Sequence, residues 1–414
     1  MENTLLLYDW MALGVAFLLS CLTSYYAIPI IIRAAKKNHF FDQPDHNRKL
    51  HIEAIPTLGG VAIFFAFLLS FAINPWANII EGFPYIVAAL LILFFIGLKD
   101  DLVVLSAKKK LIAQISAAAL VIFGSDILIS DFQGVLGLAD IPHWAAVIVT
   151  FVTIIGVINA VNLIDGIDGL AGGVGVISSF LFGGAFFYTG QLSMAVFSLC
   201  LAGALLGFLY YNFSPASIFM GDTGSMILGF LLSIQAIQFI GLGSYPEFYS
   251  LFGNAAPILA VSILALPLFD TLRVVFKRLR RKSSIFEPGK DHIHHELLRM
   301  GLSHKNASLL LYAESIALVS LMATLSLFNI GVNLLLGILL FSSIVILPTN
   351  GFKRRVLASL FGYNWQAYRR QKWGIEFNHN ETTPINNTAT SEVASQNAFS
   401  DTKEQREEAD SMVV

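Results

Sequence analysis

Acidic and amide side chains in an apolar chain need a reason, and one stretch concentrates them. In NAVNLIDGIDGLAGG, residues 159–173, Asn159, Asn162, Asp165 and Asp168 fall within ten positions between two almost purely apolar runs. Three further clusters share this character. GLKDDLVVLSAKKK carries Asp100, Asp101 and Lys108–Lys110; NFSPASIFMGDTGS carries Asn212, Phe219 and Asp222; GKDHIHHELLRMGLSH carries His292, His294 and His295. A fifth, RKLHIEAIPTLGG, adds Lys49 and His51. Asp and Asn are hard oxygen ligands suited to Mg²⁺ or Mn²⁺, which binds through one or two carboxylates together with substrate phosphates. Lysines and free amides at helix starts neutralise phosphate oxygens. Glycines at 166, 169, 172, 173, 221 and 224 let the backbone approach a bulky ligand. Asp165 and Asp168 stand i, i+3, so a helix would place them on one face. The shared chemistry is metal-assisted handling of a diphosphate.

The frame that must position these residues is a membrane one. The 414-residue chain is 56% hydrophobic and 13% charged, with mean hydropathy +0.69. A soluble domain carries about 25% charged residues. The composition predicts an all-α polytopic membrane protein and excludes a single soluble core of this size. Runs of about 17–25 apolar residues are needed to span a bilayer. They are expected near 10–32, 57–73, 83–98, 111–130, 144–160, 171–189, 191–210, 223–241, 256–276, 308–328 and 331–347, about eleven helices in all. The first ten residues hold no Lys or Arg, so the first apolar stretch is expected to stay as a helix and not leave as a signal peptide. Cys21 and Cys200 both lie in apolar runs, which offers neither a disulfide framework nor a zinc cluster.

Basic residues orient the chain. Segments 33–55, 99–110, 277–307 and 348–414 hold five, four, eight and eight, which is 25 of the 26 Lys and Arg. The intervening loops hold none. The positive-inside rule then places the N-terminus outside, the C-terminus in the cytoplasm, and all five polar clusters on the cytoplasmic face. Segment 131–143 reads as a small external β-hairpin. Residues 1–350 are expected to form the membrane domain and 351–375 a basic membrane-proximal segment. From 376 to 414 the Asn-, Thr-, Ser- and Glu-rich composition predicts a disordered tail.

Each cluster alone has a plainer reading. Asp100 and Asp101 could cap a helix end, Asp222 could be an N-cap, the histidines a solvated loop, Lys108–Lys110 an orientation signal and Phe219 a packing residue. Asp270 and Arg273, i, i+3 near the inner end of the ninth span, read as a structural ion pair rather than a ligand contact. Accidents would scatter over both membrane faces, and these clusters do not. A secondary transporter is the competing class, but it should carry mid-membrane acids on broken helices and often a repeat. No repeat is visible.

Taken together, Asp100-Asp101, Asn159-x-x-Asn162-x-x-Asp165-Gly-x-Asp168-Gly-Leu-Ala, Phe219-Met-Gly-Asp222-x-Gly-Ser and His292-Ile-His294-His295 resemble the polyprenyl-phosphate N-acetylhexosamine-1-phosphate transferase family, over residues 10–350. The resemblance implies transfer of a sugar-1-phosphate from a UDP-sugar to undecaprenyl phosphate, releasing UMP, in a bacterial cytoplasmic (inner) membrane. It implies no nucleic-acid partner, leaves room for a homodimer, and suggests the first membrane step of a cell-surface polysaccharide such as O-antigen or teichoic acid. The phospho-MurNAc-pentapeptide transferase branch is the alternative. Its three consecutive histidines are split here by Ile293, and Ile52 stands where it has a lysine. RKLH and DHIHH look instead like the UDP-GlcNAc:undecaprenyl-phosphate branch.

By position, the resemblance makes Asp222 the leading Mg²⁺ ligand (Mn²⁺ as substitute), with Asn162 or Asp165 assisting. Asp100, Asp101, His292, His294 and His295 become the catalytic set, with Asp100 as base or covalent nucleophile. Lys49, His51, Lys110, Asn159, Asp168, Asn212 and Phe219 become substrate contacts. Among these, Asp168 and Asn212 would meet the uridine, Phe219 would stack on it, and the lysines and histidines would neutralise phosphates.

Overall fold

In the computed structural model, residues 2–38, 55–76, 80, 82–281, 291–346, 376–377 and 384–385 are described. Lys49 and His51, and nearly all of the tail, lie outside them. The C-terminal unit contributes one two-residue antiparallel pair, Glu376–Phe377 with Pro384–Ile385.

Everything else described is built from helices, because a backbone in an apolar surrounding satisfies its polar groups most simply within a helix. In chain order they are α1 Glu2–Asn38, α2 Gly59–Ala72, α3 Phe83–Leu102, α4 Ala107–Gly124, α5 His143–Ile164, α6 Leu170–Tyr188 and α7 Leu192–Asn212. Then come α8 Gly221–Gly241, α9 Pro246–Phe252, α10 Ala256–Ile263, α11 Ala265–Arg280, α12 Ile293–Arg299, α13 His304–Leu327 and α14 Val332–Ile346.

Each of the eleven expected apolar runs falls on a helix or on the pair α10–α11. Among the described residues, seven helices are long and apolar enough to cross a membrane, or eight if α10 and α11, bent by 76°, form one broken span. Lys108, Lys109 and Lys110 load the first turn of α4 with charge, and α2 and α14 are short. In 131–143 the structure has a single antiparallel bridge, Asp131 with Asp140, around a 3-10 turn at Val135–Gly137.

The core is organised around α8, whose apolar window is 78% buried. It packs against α2, α3, α5, α6 and α10. Small residues set these approaches, as between membrane helices generally. A Cβ on Gly60 of α2 would stand 2.1 Å from Gly224 N of α8, and one on Gly97 of α3 2.5 Å from Thr223 Cα. On the other side Gly203 and Gly207 of α7 lie against α1, where added Cβ atoms would meet Phe17 O and Cys21 O at 2.4 Å. These contacts hold the start of α8 beside the start of α2 and the end of α3. That is where Asp222, Asp100 and Asp101 sit.

Candidate active site

A cavity of about 640 Å³ opens at this end, lined by the ends of α3, α5 and α7, the starts of α4, α8 and α13, and the turn 165–168. Its acidic half holds Asp100, Asp101, Asp165 and Asp222; its other half holds Asp168, Asn212 and His304. Phe219 and Asn162 also line it. Residues separated by more than 200 positions therefore share one chamber.

Lys110 is the hinge of the acidic half. Its Nζ lies 2.5 Å from Asp100 Oδ2 and 3.0 Å from Asp222 Oδ2. The Asp100 side chain is 3% exposed, and its other oxygen accepts the Leu105 N–H at 2.6 Å. Asp222 is further exposed and takes a 2.5 Å hydrogen bond from Asn162 Nδ2, which also donates to Ser225 Oγ at 2.7 Å. Asp100 is thus a fixed, occupied carboxylate. Asp222 presents itself to the cavity.

Asp101 differs from the expected catalytic group. Its Oδ1 accepts the Asp222 N–H at 2.7 Å, and its Oδ2 accepts from Thr223 N at 3.1 Å and Thr223 Oγ1 at 2.5 Å. Free N–H groups at a helix start want an acceptor, and here α3 supplies it to α8. Asp222 is therefore not the cap; it is the residue being capped. Gly221 completes the joint: its φ is +73° and a Cβ there would stand 2.1 Å from Thr57 O. A side chain at 221 would push Asp222 off this seat.

The helix expected to carry Asp165 and Asp168 on one face ends before them. Asn159 and Asn162 are on α5, Asp165 is its C-cap, and Asp168 lies in the turn before α6. Gly169 at φ +79° re-enters the helical direction. Among the described residues none hydrogen-bonds to the Asp165 carboxylate, although burial, then the charges of Asp222 and Asp101, push it up to about 7. An unpartnered carboxylate beside two others is a demand for positive charge. That demand, with hard oxygen donors only, fits Mg²⁺. No three acidic, His or Cys side chains form a metal-holding group among the described residues.

In the other half, the Asn212 amide is anchored in the protein through both its oxygen and its nitrogen. Its Oδ1 accepts the Gly169 N–H at 3.0 Å and its Nδ2 donates to Ile218 O at 2.9 Å. It ties the 165–169 turn to the 213–220 connection while lining the cavity. Asn159 faces away from the cavity and donates to Gln114 Oε1 of α4 at 2.8 Å and to Ile155 O at 2.7 Å. Phe219 is held by backbone bonds on both sides, from its N–H to Pro56 O at 2.8 Å and from Gly59 N to its carbonyl at 2.9 Å.

The histidines stand behind the cavity wall. His292 Nδ1 is 2.9 Å from Asp270 Oδ2, and Asp270 Oδ1 also accepts the Ile293 N–H at 2.9 Å and pairs with Arg273 at 3.0 Å. The Asp270–Arg273 pair is structural, and it docks the histidine segment on α11. Arg273 extends the network to Glu296 at 3.2 Å. His294 packs against Gly166, where a Cβ would meet its Nε2 at 2.2 Å. His295 is half-buried, its ring centroid 4.3 Å from that of His294. Burial, then neighbouring His295, pushes His294 down to about 3, so it is neutral near pH 7 and supports the turn without neutralising phosphate.

That burial has a pH signature. An unfolded histidine titrates near 6.5, so between about 6.5 and 3 the unfolded chain binds the proton that the folded one refuses. This contribution is whole above about pH 6.5 and falls on acidification by about 1.4 kcal/mol per pH unit. Asp165, raised, works in the opposite direction, so the comparison must be differential. Melting curves of detergent-purified wild type and His294→Gln between pH 7.5 and 5.5 should show the steeper acid loss in wild type. Parallel losses would place a solvated histidine at 294.

One cavity residue escapes the motifs. His304 opens α13, and its Nδ1 lies 3.1 Å from Asp168 Oδ1. Ser308 Oγ donates to Asp168 O at 2.9 Å, and Tyr312 OH donates to Gly169 O. These three residues at i, i+4 and i+8 form a polar stripe along one face of α13, which is the signal that could have found them.

The model of glycosyl transferase family 4 matches residues 83–240, from α3 through α8. A probable undecaprenyl-phosphate N-acetylglucosaminyl 1-phosphate transferase of Bacillus subtilis is 36% identical over 307 residues, 72% of this chain and 80% of the relative. The chain belongs to the polyprenyl-phosphate N-acetylhexosamine-1-phosphate transferase family. Within this family it is also similar to the decaprenyl-phosphate N-acetylglucosaminephosphotransferase of Mycolicibacterium smegmatis, 32% identical over 64% of this chain and 70% of that one. The undecaprenyl-phosphate alpha-N-acetylglucosaminyl 1-phosphate transferase of Escherichia coli K12 is 28% identical over 70% of this chain and 77% of its own. These relatives are named as transferases acting on polyprenyl phosphates.

Proposed function

We propose that the chain transfers N-acetylglucosamine-1-phosphate from UDP-N-acetylglucosamine to undecaprenyl phosphate and releases UMP, as the first membrane step of a cell-surface polysaccharide. One observation carries this reading: a lysine clamped between two carboxylates, Asp100 and Asp222, with an unpartnered third, Asp165, in the lining of the same cavity. Such a cluster is half of an ion-pair array whose other half is a metal and a diphosphate.

In this reaction an oxygen of the lipid phosphate attacks the β-phosphorus of the donor. The bond from that phosphorus to the oxygen bridging to the α-phosphate breaks, and UMP leaves with the electron pair. Asp222 and Asp165 would hold Mg²⁺, with Asn162 orienting Asp222; the ion would supply charge neutralisation on the diphosphate. The protein's own part is mainly positioning and electrostatics, as in phosphoryl transfer generally. Lys110 presents its ammonium to the transferring or attacking phosphate. Asp100, buried and held by Lys110 and the Leu105 N–H, acts through Lys110 by keeping that ammonium charged and placed. Asp101 and Asn212 hold the two sides of the chamber in register. Phe219 offers the nucleobase an aromatic edge.

The distribution of basic residues supports a site on the cytoplasmic face of a bacterial cytoplasmic membrane, where UDP-sugars are made. Sealed vesicles test function and orientation together. With labelled UDP-N-acetylglucosamine outside, inside-out vesicles should pass label into butanol-extractable lipid and right-side-out vesicles should not. UDP-MurNAc-pentapeptide should give no lipid product. Transfer in right-side-out vesicles alone would invert the topology, and transfer only from the pentapeptide donor would replace the substrate.

A further inference from the structure

Asp168 cannot meet the nucleotide as freely as its position in the sequence implied. Its Oδ2 accepts the Ala216 N–H at 3.2 Å, and its Oδ1 faces His304 Nδ1 at 3.1 Å. Burial works against its charge, but His304, Ala216 and Ser214 together hold its carboxyl below the ordinary carboxylate range. Both carboxylate oxygens are engaged by the protein, and the side chain is 14% exposed.

His304 is placed differently. Its Nδ1 is also 3.5 Å from Asp168 N, but the carboxylate is nearer and charged, so the ring donates through Nδ1. An imidazole fixed this way has its other nitrogen defined by the first. Among the described residues none bonds to Nε2, the side chain is 42% exposed, and it lines the cavity. The α13 stripe below it, Ser308 and Tyr312, is bonded to the 168–169 turn. His304 and the turn therefore move as one body, and Nε2 is presented with little freedom left to lose.

We propose that His304, oriented by Asp168, is the nucleoside-recognising residue of this cavity, its Nε2 meeting a polar atom on the nucleoside half of the donor. The charge distribution favours that half over the diphosphate. Lys110 pairs with Asp100 and Asp222 in a contact network separate from that of Asp168, whereas the His304 charge is offset by Asp168 beside it. Asp168 is then a positioning residue. The inference rests on the proposed use of a UDP-sugar.

Calorimetric titration of the full-length purified protein with UDP and with inorganic pyrophosphate, both with Mg²⁺, separates the two halves of the ligand. His304→Ala should weaken UDP about 5- to 150-fold, the loss of one hydrogen bond in a closed site, and leave pyrophosphate unchanged. His304→Gln, which keeps a polar group near Nε2, should recover part of the loss and guards against a fold defect in the alanine variant. Asp168→Asn should weaken UDP as well. Because the two act as a unit, the double variant should be no weaker than His304→Ala alone. The proposal is overturned by His304→Ala binding UDP as wild type does, by equal losses for UDP and pyrophosphate, or by losses that multiply in the double variant. Folded wild type that binds pyrophosphate but not UDP would instead remove the UDP-sugar reading, and this inference with it.

Discussion

Asp222→Asn should abolish transfer in protein that still folds. The substitution keeps the size of the side chain, its backbone bond to Asp101 and an oxygen for Asn162. It removes the charge that faces Lys110 and that would hold the metal. The expected loss is about 1,000-fold or more in turnover, several kcal/mol of transition-state stabilisation. UDP binding in Asp222→Asn should also lose most of its dependence on Mg²⁺. Turnover near wild type at ordinary Mg²⁺ would remove Asp222 from the site and with it the account of the acidic half.

Asp100→Asn separates placing a cation from holding a metal. An asparagine oxygen can still accept the Leu105 N–H, so the end of α3 should keep its shape. Lys110 would lose its 2.5 Å partner and with it the fixed placement of its ammonium toward the phosphate. Displacing one fixed charge from a transition state costs about 100- to 1,000-fold in rate. UDP affinity and melting temperature should stay close to wild type, with the loss in kcat. A matched fall in UDP affinity would show that Asp100 serves the donor, and a trapped sugar-phosphate adduct on Asp100 would make it a nucleophile.

How much of this could be read from the sequence depends on how local the evidence was. Apolar length and the one-sided distribution of lysine and arginine are local properties, so the helices and the clustering of Asp100, Lys110, Asn162, Asp165 and Asp222 at one end were legible. Roles set by distant partners were not. Asp101 reads like Asp100 because they are adjacent, yet it caps a helix that starts 120 residues later. Asn212 carries the look of a ligand contact, and its partner N–H is at Gly169, 43 positions away. His304 ends the stretch GKDHIHHELLRMGLSH outside its histidine motif, and its partner Asp168 is 136 positions distant. The same limit explains Asp165 and Asp168: the helical spacing was real, but the glycines between and after them end the helix.

The most direct measurement follows one phosphorus atom. Purified protein in detergent, with Mg²⁺ and undecaprenyl phosphate, is given UDP-N-acetylglucosamine labelled with ³²P at the β-phosphate and with ³H in the sugar. The account predicts that both labels enter the lipid fraction in equal amounts and that unlabelled UMP appears in step with them. If ³H enters the lipid while ³²P stays in solution as UDP, the protein moves a sugar and not a sugar phosphate, and the chemistry assigned to Asp222, Asp165 and Lys110 is wrong.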